Sequence, residues 1–296
     1  MNKTNQYFLQ IHLAVLLFGA AGLFGKLITV SSGAIVLGRA FLGALFLMTL
    51  KISIGEGFKI ARKDFYIFAL LGLTLAFHWI AFFESIQQST VAIGVLTFST
   101  FPVFTSLLEP LVDREEFRKQ DLLLALIAFA GVALVIPSFD LKDEYTIGAL
   151  WGITSGASFA ILALTSRRMI KTYSSNSVSF YQNFIAALIL FPFFFEDIMN
   201  GNQQDWIYLI ILGVIFTGIA HTLFINSMKG MKAQTASLIA CLEPFYAIIL
   251  AWIILNETPT LRMSAGGLLI LAVATYATLS NRKNQKNDKK NQNNPN

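Results

Sequence analysis

Ten long stretches of this chain are almost free of charge. They are residues 8–27, 34–50, 65–83, 91–112, 122–136, 148–164, 178–195, 206–225, 233–255 and 265–279. An α-helix rises about 1.5 Å per residue, so roughly 20 apolar residues cross a hydrocarbon core of about 30 Å. Each stretch is therefore predicted to be a spanning helix, with the two shortest, 122–136 and 265–279, extending into their polar flanks. Lys3 followed by the apolar 11–18 imitates a signal peptide, but the apolar run continues to Leu27, which predicts an uncleaved first helix. Residues 281–296, rich in Asn and Lys with no large apolar side chain, read as a disordered tail.

The polar positions between these stretches fix an orientation. With the N-terminus in the cytoplasm, 18 of the 22 Lys and Arg residues fall on the cytoplasmic side, and only Lys26, Lys142 and Arg262 fall on the other. Arg39 lies inside a helix. Positive residues are retained on the cytoplasmic side of a membrane, so both termini are predicted to be cytoplasmic.

The two halves share a pattern. Pro102 precedes Glu115 by 13 residues, Pro244 precedes Glu257 by 13, and the prolines stand 142 positions apart. Phe41-x-x-Ala44-Leu45-x-Leu47 returns as Phe184-x-x-Ala187-Leu188-x-Leu190 at an offset of 143, as does His78 with His221. Five helices per half is an odd number, so the second half enters the membrane upside down. The expected fold is all-α, ten transmembrane helices forming two inverted five-helix repeats around a central cavity. Residues 1–137 form the first repeat, 138–280 the second, and 281–296 the cytoplasmic tail. Proteins built this way place a substrate site near the midplane between the repeats.

Composition narrows the class. Hydrophobic residues make up 55% of the chain, charged residues 13%, and the mean hydropathy is +0.62. A soluble protein carries about 25% charged residues, so this is an integral membrane protein. The net charge of +5 sits in short loops and the tail, and implies no nucleic-acid partner. The single cysteine, Cys241, excludes an intrachain disulfide and reads as a small apolar filler.

Candidate chemistry begins with Leu242-Glu243-Pro244 in the ninth stretch. An acid at mid-membrane depth costs several kcal/mol, about 2.5–3.5 on insertion scales. A proline beside it opens a turn that only protein or water can cover. Glu243 either binds substrate or a proton, or makes a structural hydrogen bond. Pro244 and its counterpart Pro102 are expected to kink their helices, as gates or as fixed bends. Arg39 either holds an anionic group or snorkels to the surface and pins its helix. Its repeat counterpart is Gln182 or Asn183. His78 and His221, with Trp79, Thr217, Thr222 and Asn226, are candidates to line a polar cavity, or else are histidines satisfied by a neighbouring carbonyl. Phe82, Phe83, Phe101 and Tyr246 are candidates for an aromatic wall. Glu109 reads as structural, and His12 carries no role. The glycines at 148, 152 and 156, with Ala160, and those at 19, 22 and 25 form small-residue seams that let helices approach closely.

No metalloprotease His-Glu-x-x-His, phosphate-binding Gly-x-x-x-x-Gly-Lys-Ser/Thr or dinucleotide glycine pattern occurs. Gly152-Ile153-Thr154-Ser155-Gly156 has one residue too many for the spacing of an intramembrane serine protease. No catalytic residue, metal or cofactor is expected. With no nucleotide-binding domain, a transporter here would run on a gradient.

Ten helices in two halves, Gly38-Arg39-Ala40-Phe41 and a proline-then-glutamate frame in each half resemble the drug/metabolite transporter superfamily, in particular its EamA-type ten-helix branch. Leu242-Glu243-Pro244 followed by Leu255-Asn256-Glu257 is the most specific part of the resemblance. Asp113-Arg114-Glu115-Glu116 departs from the usual glycine-glutamate ending of the first half, and Gly19-Ala20-Ala21-Gly22 lacks a tryptophan often found there. The resemblance covers residues 8–280. It implies a basket-like bundle with a central cavity, a bacterial inner-membrane location and movement of small organic solutes, commonly export of amino acids or related metabolites. The expected function is an alternating-access carrier of small polar or amphipathic metabolites in the lipid bilayer, with a proton as the candidate coupling ion carried by Glu243. Efflux of lipophilic or cationic drugs is the alternative within transport, and a membrane enzyme or sensor the alternative outside it. Oligomeric state is not read from the sequence.

The charge distribution makes a direct prediction. Reporter fusions at residue 1 and residue 296 should both score as cytoplasmic, and a split result would remove the five-plus-five topology.

Overall fold

The computed structural model describes residues 3–113, 119–137, 140–227, 239 and 242–276, and all secondary structure among them is helical. In chain order the helices are α1 (Lys3–Ala21), α2 (Phe24–Leu27), α3 (Ser32–Ser53), α4 (Phe65–Gln88), α5 (Val91–Phe98), α6 (Phe101–Asp113) and α7 (Lys119–Val135). They continue with α8 (Glu144–Met169), α9 (Ser175–Met199), α10 (Gln203–Ile211), a π-helical segment (Leu212–Ile219), α11 (Ala220–Ser227), α12 (Glu243–Leu255) and α13 (Leu261–Tyr276). Among the described residues seven helical segments are long and apolar enough to cross a membrane, and three further apolar helices are shorter. The protein is a multi-pass membrane protein.

Helix starts follow ordinary capping chemistry. Thr90 accepts from the Ile93 amide at 3.1 Å, Asp143 from Tyr145 at 2.8 Å, and Ser174 from Ser177 at 3.0 Å. Each satisfies one of the donors that a helix N-terminus leaves open. Asn202 and Asp205 form a reciprocal capping box at the head of α10.

The stretch 91–112, expected as one kinked span, is two helices. α5 stops at Phe98, residues 99–100 form a turn, and α6 restarts at Phe101, so Pro102 stands in the first turn of a new helix. Proline is tolerated there because that amide has no intrahelical partner to lose. Pro244 likewise follows the first residue of α12. Residues 240–241, just before the turn expected at Pro244, lie outside the described residues, as does Glu115. The stretch 206–225 runs through the π-helical segment rather than a uniform α-helix.

The buried core lies between helices that are distant in sequence. α3 packs on α9, α4 on α8 and α9, α5 and α6 on α8, α1 on α11 and α12, and the π-helical segment on α3. Polar loop contacts tie the α3–α9 pair at both ends. At one end Lys51, fully buried, pairs with Glu56 at 3.1 Å and donates to Ser177 Oγ at 2.6 Å. The Tyr173 hydroxyl, in the loop before α9, donates to Asp64 at the head of α4 at 2.7 Å. Lys51 was counted above as a loop charge, whereas it occupies the last turn of α3, where a cation also complements the helix dipole. At the other end Asp205 accepts from the Thr29 amide at 2.8 Å and the Thr29 hydroxyl at 2.7 Å, and Ser31 donates to Asp197.

Glycines set the closest approaches. A Cβ at Gly19 would lie 2.8 Å from the Glu243 carbonyl oxygen, and one at Gly156 would lie 2.9 Å from the Phe98 carbonyl oxygen. A Cβ at Gly152 would collide with Thr97 Oγ1 and lie 2.9 Å from Ser85 Oγ. The seams therefore carry backbone against the interrupted spans. Gly152→Ala should overpack this contact and cost about 1–3 kcal/mol, seen as a lower unfolding temperature of purified protein, whereas Gly57→Ala, with open space around it, should leave that temperature unchanged.

Candidate functional site

Two interruptions meet at the centre of the bundle. Phe98, Ser99, Phe101 and Pro102 from the α5–α6 break face Glu243 and Pro244 from the head of α12, with Leu271 and Ala274 of α13 closing one side. The cleft between them has a volume of about 10 Å³. That is room for about one water molecule, so this conformation is closed at its centre. The break at 99–100 exposes peptide groups that a membrane interior cannot solvate and is roofed by Gly156, while Gly19 packs against the first turn of α12 at Glu243 and Ala247.

Arg39 sits beside this cleft. It is 5% exposed, so it does not snorkel to the surface, and its guanidinium stacks 3.9 Å from the Trp79 ring centroid and 5.6 Å from that of Phe83. Nε donates to Thr217 Oγ1 at 3.0 Å. Thr217 is fully buried and in turn donates to the Leu212 carbonyl at 3.0 Å, a contact between residues five apart that belongs to the π-helical turn. π-helical turns frequently mark functional sites. Gly43, one turn beyond Arg39, leaves the space that Thr217 fills, with 2.9 Å from its would-be Cβ to Thr217 Cγ2. Arg39 and Glu243 act on each other electrostatically. They are not a contact ion pair, since Lys51–Glu56 is the one such pair within 4.0 Å among the described residues.

His78 faces a different neighbour. Its Nδ1 lies 2.9 Å from Ser155 Oγ and 3.1 Å from the Ser155 carbonyl oxygen, and Ser155 Oγ also approaches the His78 carbonyl at 3.1 Å. The serine of the protease-like spacing thus meets a histidine, but Ser155 is fully buried and their hydrogen bonds close on each other. The pair joins α4 to α8. The imidazole packs against Phe98 at 5.4 Å and Phe159 at 5.0 Å, and Phe101 stacks on Phe98 at 5.3 Å and meets Phe159 at 5.0 Å. Phe82 joins this group through Phe98 at 5.5 Å.

The structure therefore brings together Arg39, Trp79, Thr217 and, at longer range, Glu243, and groups His78 with Phe101 and the rings around them, Phe98 and Phe101 also facing Glu243 across the cleft. Tyr246 belongs to neither group, its hydroxyl lying 3.4 Å from His12 Nδ1. The side chain of His221 lies outside the described residues. Asn183, a proposed counterpart of Arg39, is 1% exposed, and its Oδ1 is buried without a hydrogen-bond partner. Sequence reasoning did not single out Phe98, Phe159 or the Ser155 contact. Its one signal for the last was the glycine seam that carries Ser155.

Glu257 has a defined task. Asn256 closes α12 in the left-handed conformation, φ 56°, which turns the chain so that the Glu257 carboxylate accepts from the Val91 amide at 2.9 Å at the head of α5. Burial pushes this carboxyl up from its ordinary value, and the Val91 amide, Lys26 and the Ala92 amide pull it back.

A helical membrane bundle with two interrupted spans opposed across a charged cleft has the architecture of a membrane transporter. The chain belongs to the EamA-like transporter family, whose model matches residues 6–136 and again 146–279, and so to the drug/metabolite transporter superfamily. It is 27% identical over 88% of its length to the uncharacterized transporter YxxF of Bacillus subtilis (strain 168), covering 85% of that protein. It is 29% identical over 88% of its length to an uncharacterized transporter of Archaeoglobus fulgidus, covering 92% of it. A crystal structure of a protein 18% identical in sequence superposes with a TM-score of 0.64 over 94% of this chain and 98% of that one, a likeness of fold. The family and the names of these relatives mark a transporter and not an enzyme.

Removing the Thr217 hydroxyl would strand the buried Arg39 Nε. Thr217→Val should cost about 1–3 kcal/mol, the penalty for an unpaired buried donor, and Thr217→Ser should restore most of it, both read from thermal unfolding of the purified protein.

Proposed function

We propose that this protein is an alternating-access carrier of small polar or amphipathic metabolites, with export of amino acids or related compounds the favoured reading. The observation that carries it is the cleft in which the break at 99–100 faces the head of α12 and its acid, Glu243, with the buried cation Arg39 within electrostatic reach. Helix starts at Phe101 and Glu243 both line that centre, as half-helix starts do in gradient-driven carriers. Arg39, held in place by Thr217 and Trp79, would take a carboxylate. Glu243 would take an ammonium group or the coupling proton. Pro102 and Pro244 would let the half-helices bend, and the glycine-lined α1 and α8 would slide past them.

The packing supports two inverted repeats, 1–137 and 138–280. If the first five spans are exchanged with the second five, the contacts map onto each other. α4 on α8 becomes the α10–α11 span on α1, and α6 on α8 becomes α12 on α1, while α3 on α9 maps to itself. Gly156 and Gly19 exchange in the same way. On this reading the shorter helices α7, α12 and α13 complete ten spans, both termini are cytoplasmic, and the protein resides in a bacterial inner membrane. Phe101 would form part of an aromatic wall of the cleft. A buried guanidinium within electrostatic reach of the acid weighs against lipophilic cations as cargo, since it competes with them for Glu243.

Counterflow of labelled amino acids in proteoliposomes tests the proposal. Glu243→Gln should lower the transport rate on the order of tenfold or more, a loss of about 1.4 kcal/mol per decade, and flatten its dependence on pH. Unchanged counterflow by well-inserted Glu243→Gln protein would remove the role of the acid, and no counterflow by the parent with any of these solutes would remove amino acids as cargo.

A further inference from the structure

We propose that Lys26 and Glu257 are positioning residues that latch the turn between α4 and α5, holding the central cleft shut toward the membrane face that bears this turn. The proposal rests on the carrier reading above and adds to it the contact that must break for that face to open.

The turn is short, since α4 ends at Gln88 and α5 begins at Val91. It is gripped from two sides. The Lys26 ammonium donates to the Ser89 carbonyl at 2.7 Å and the Gln87 carbonyl at 3.2 Å, at the C-terminal end of α4. The Glu257 carboxylate accepts from the Val91 amide at 2.9 Å and from the Ala92 amide, at the N-terminal end of α5. Each charge has the sign that its helix end favours, a cation on unpaired carbonyls and an anion on unpaired amides. Lys26 also lies in the electrostatic field of Glu257 and of Glu144 at the head of α8. One point on this face thus joins the ends of α2, α4, α5, α8 and α12, which are distant in sequence.

α5 has only eight residues, all buried, and its far end is the backbone break at 99–100. It is consequently held by the latched turn at one end and by an opened turn at the other. Its first turn, through Thr90, Ala92 and Ile93, lines a cavity of about 540 Å³ that also includes Glu257 and Tyr145. Its last residue, Phe98, lines the central cleft of about 10 Å³. α5 therefore runs from the latched turn beside this larger cavity to the closed centre. The contacts are made by exposed or half-buried charges, the kind whose individual worth is small. A gate needs such contacts, because an equilibrium between two carrier states shifts with modest differences in contact energy.

The test places a single reporter cysteine, Ser99→Cys, in a Cys241→Ala background and measures its rate of reaction with a membrane-impermeant maleimide. Labelling is done from outside in intact cells and from inside in inverted vesicles. In the parent the reporter should react slowly from both sides. Lys26→Met and Glu257→Gln should each raise the rate from outside several-fold and lower it from inside, and Lys26→Arg, which keeps charge and donors, should stay close to the parent. The two variants lie on different segments, so either one that inserts as well as the parent decides the result. Labelling from both sides that neither variant shifts would overturn the latch alone. Labelling confined to one side in parent and variants alike would overturn the carrier reading and the latch with it.

Discussion

Backbone that leaves the helix inside a membrane must be covered, because hydrocarbon offers its peptide groups no partner. This constraint organises the centre of the molecule. The turn at 99–100 opens one span, α12 starts at Glu243 opposite it, and each place is met by close approach of another helix. The approach is possible only because the covering residues, Gly156 and Gly19, have no side chain. In both cases the covering helix comes from the other family-matched segment of the chain. Neither segment could protect its own broken span, so the two are folded around each other's weak point.

The same economy governs the charges. The cost of burying Arg39 is offset in part by a ring face at 3.9 Å, a hydroxyl acceptor at 3.0 Å and an acid within electrostatic reach. The acceptor is supplied by a stretch wound as a π-helix, so a local departure in one span compensates for a charge in another. Lys51 shows the contrasting solution. It is equally buried but has a carboxylate at 3.1 Å and a hydroxyl at 2.6 Å, and it closes a loop contact instead of facing the cleft. A contact ion pair is complete in itself, whereas a cation and an acid held apart beside a cleft leave room for a third charged group.

The distribution of polar contacts separates the bundle into fixed and adjustable parts. The α3–α9 pair is tied at one end by Lys51 on Ser177 and at the other by Ser31, the cap of α3, on Asp197, and its helices are continuous. The interrupted spans instead meet their neighbours through glycines, aromatic rings and single hydrogen bonds. Dispersion contacts of that kind exchange for similar contacts after a small shift, while a buried hydrogen bond does not. Rigid and movable elements are thereby assigned by chemistry more than by position.

Hydropathy along the chain was enough to establish a multi-pass helical membrane protein, because lipid and water sort residues by the same transfer free energies whatever the fold. The proline–glutamate frame pointed to the two places where spans open, and the Leu255-Asn256-Glu257 motif marked a turn whose left-handed Asn256 aims a carboxylate at another helix. The location of the break, at residues 99–100 rather than at Pro102, was not legible, since proline at the start of a helix and proline inside one read alike in sequence. Nor was the inward turn of Arg39, the π-helical winding at Thr217 or the burial of Lys51. Each of these depends on which distant side chain stands opposite, and a one-dimensional pattern of apolar and polar residues holds no record of that partner. The sequence by itself determined what each span is made of and how deep its polar groups lie. Only the tertiary structure decided which of them meet, because pairing inside a membrane is set by close packing and hydrogen bonding between helices and not by their preference for lipid over water.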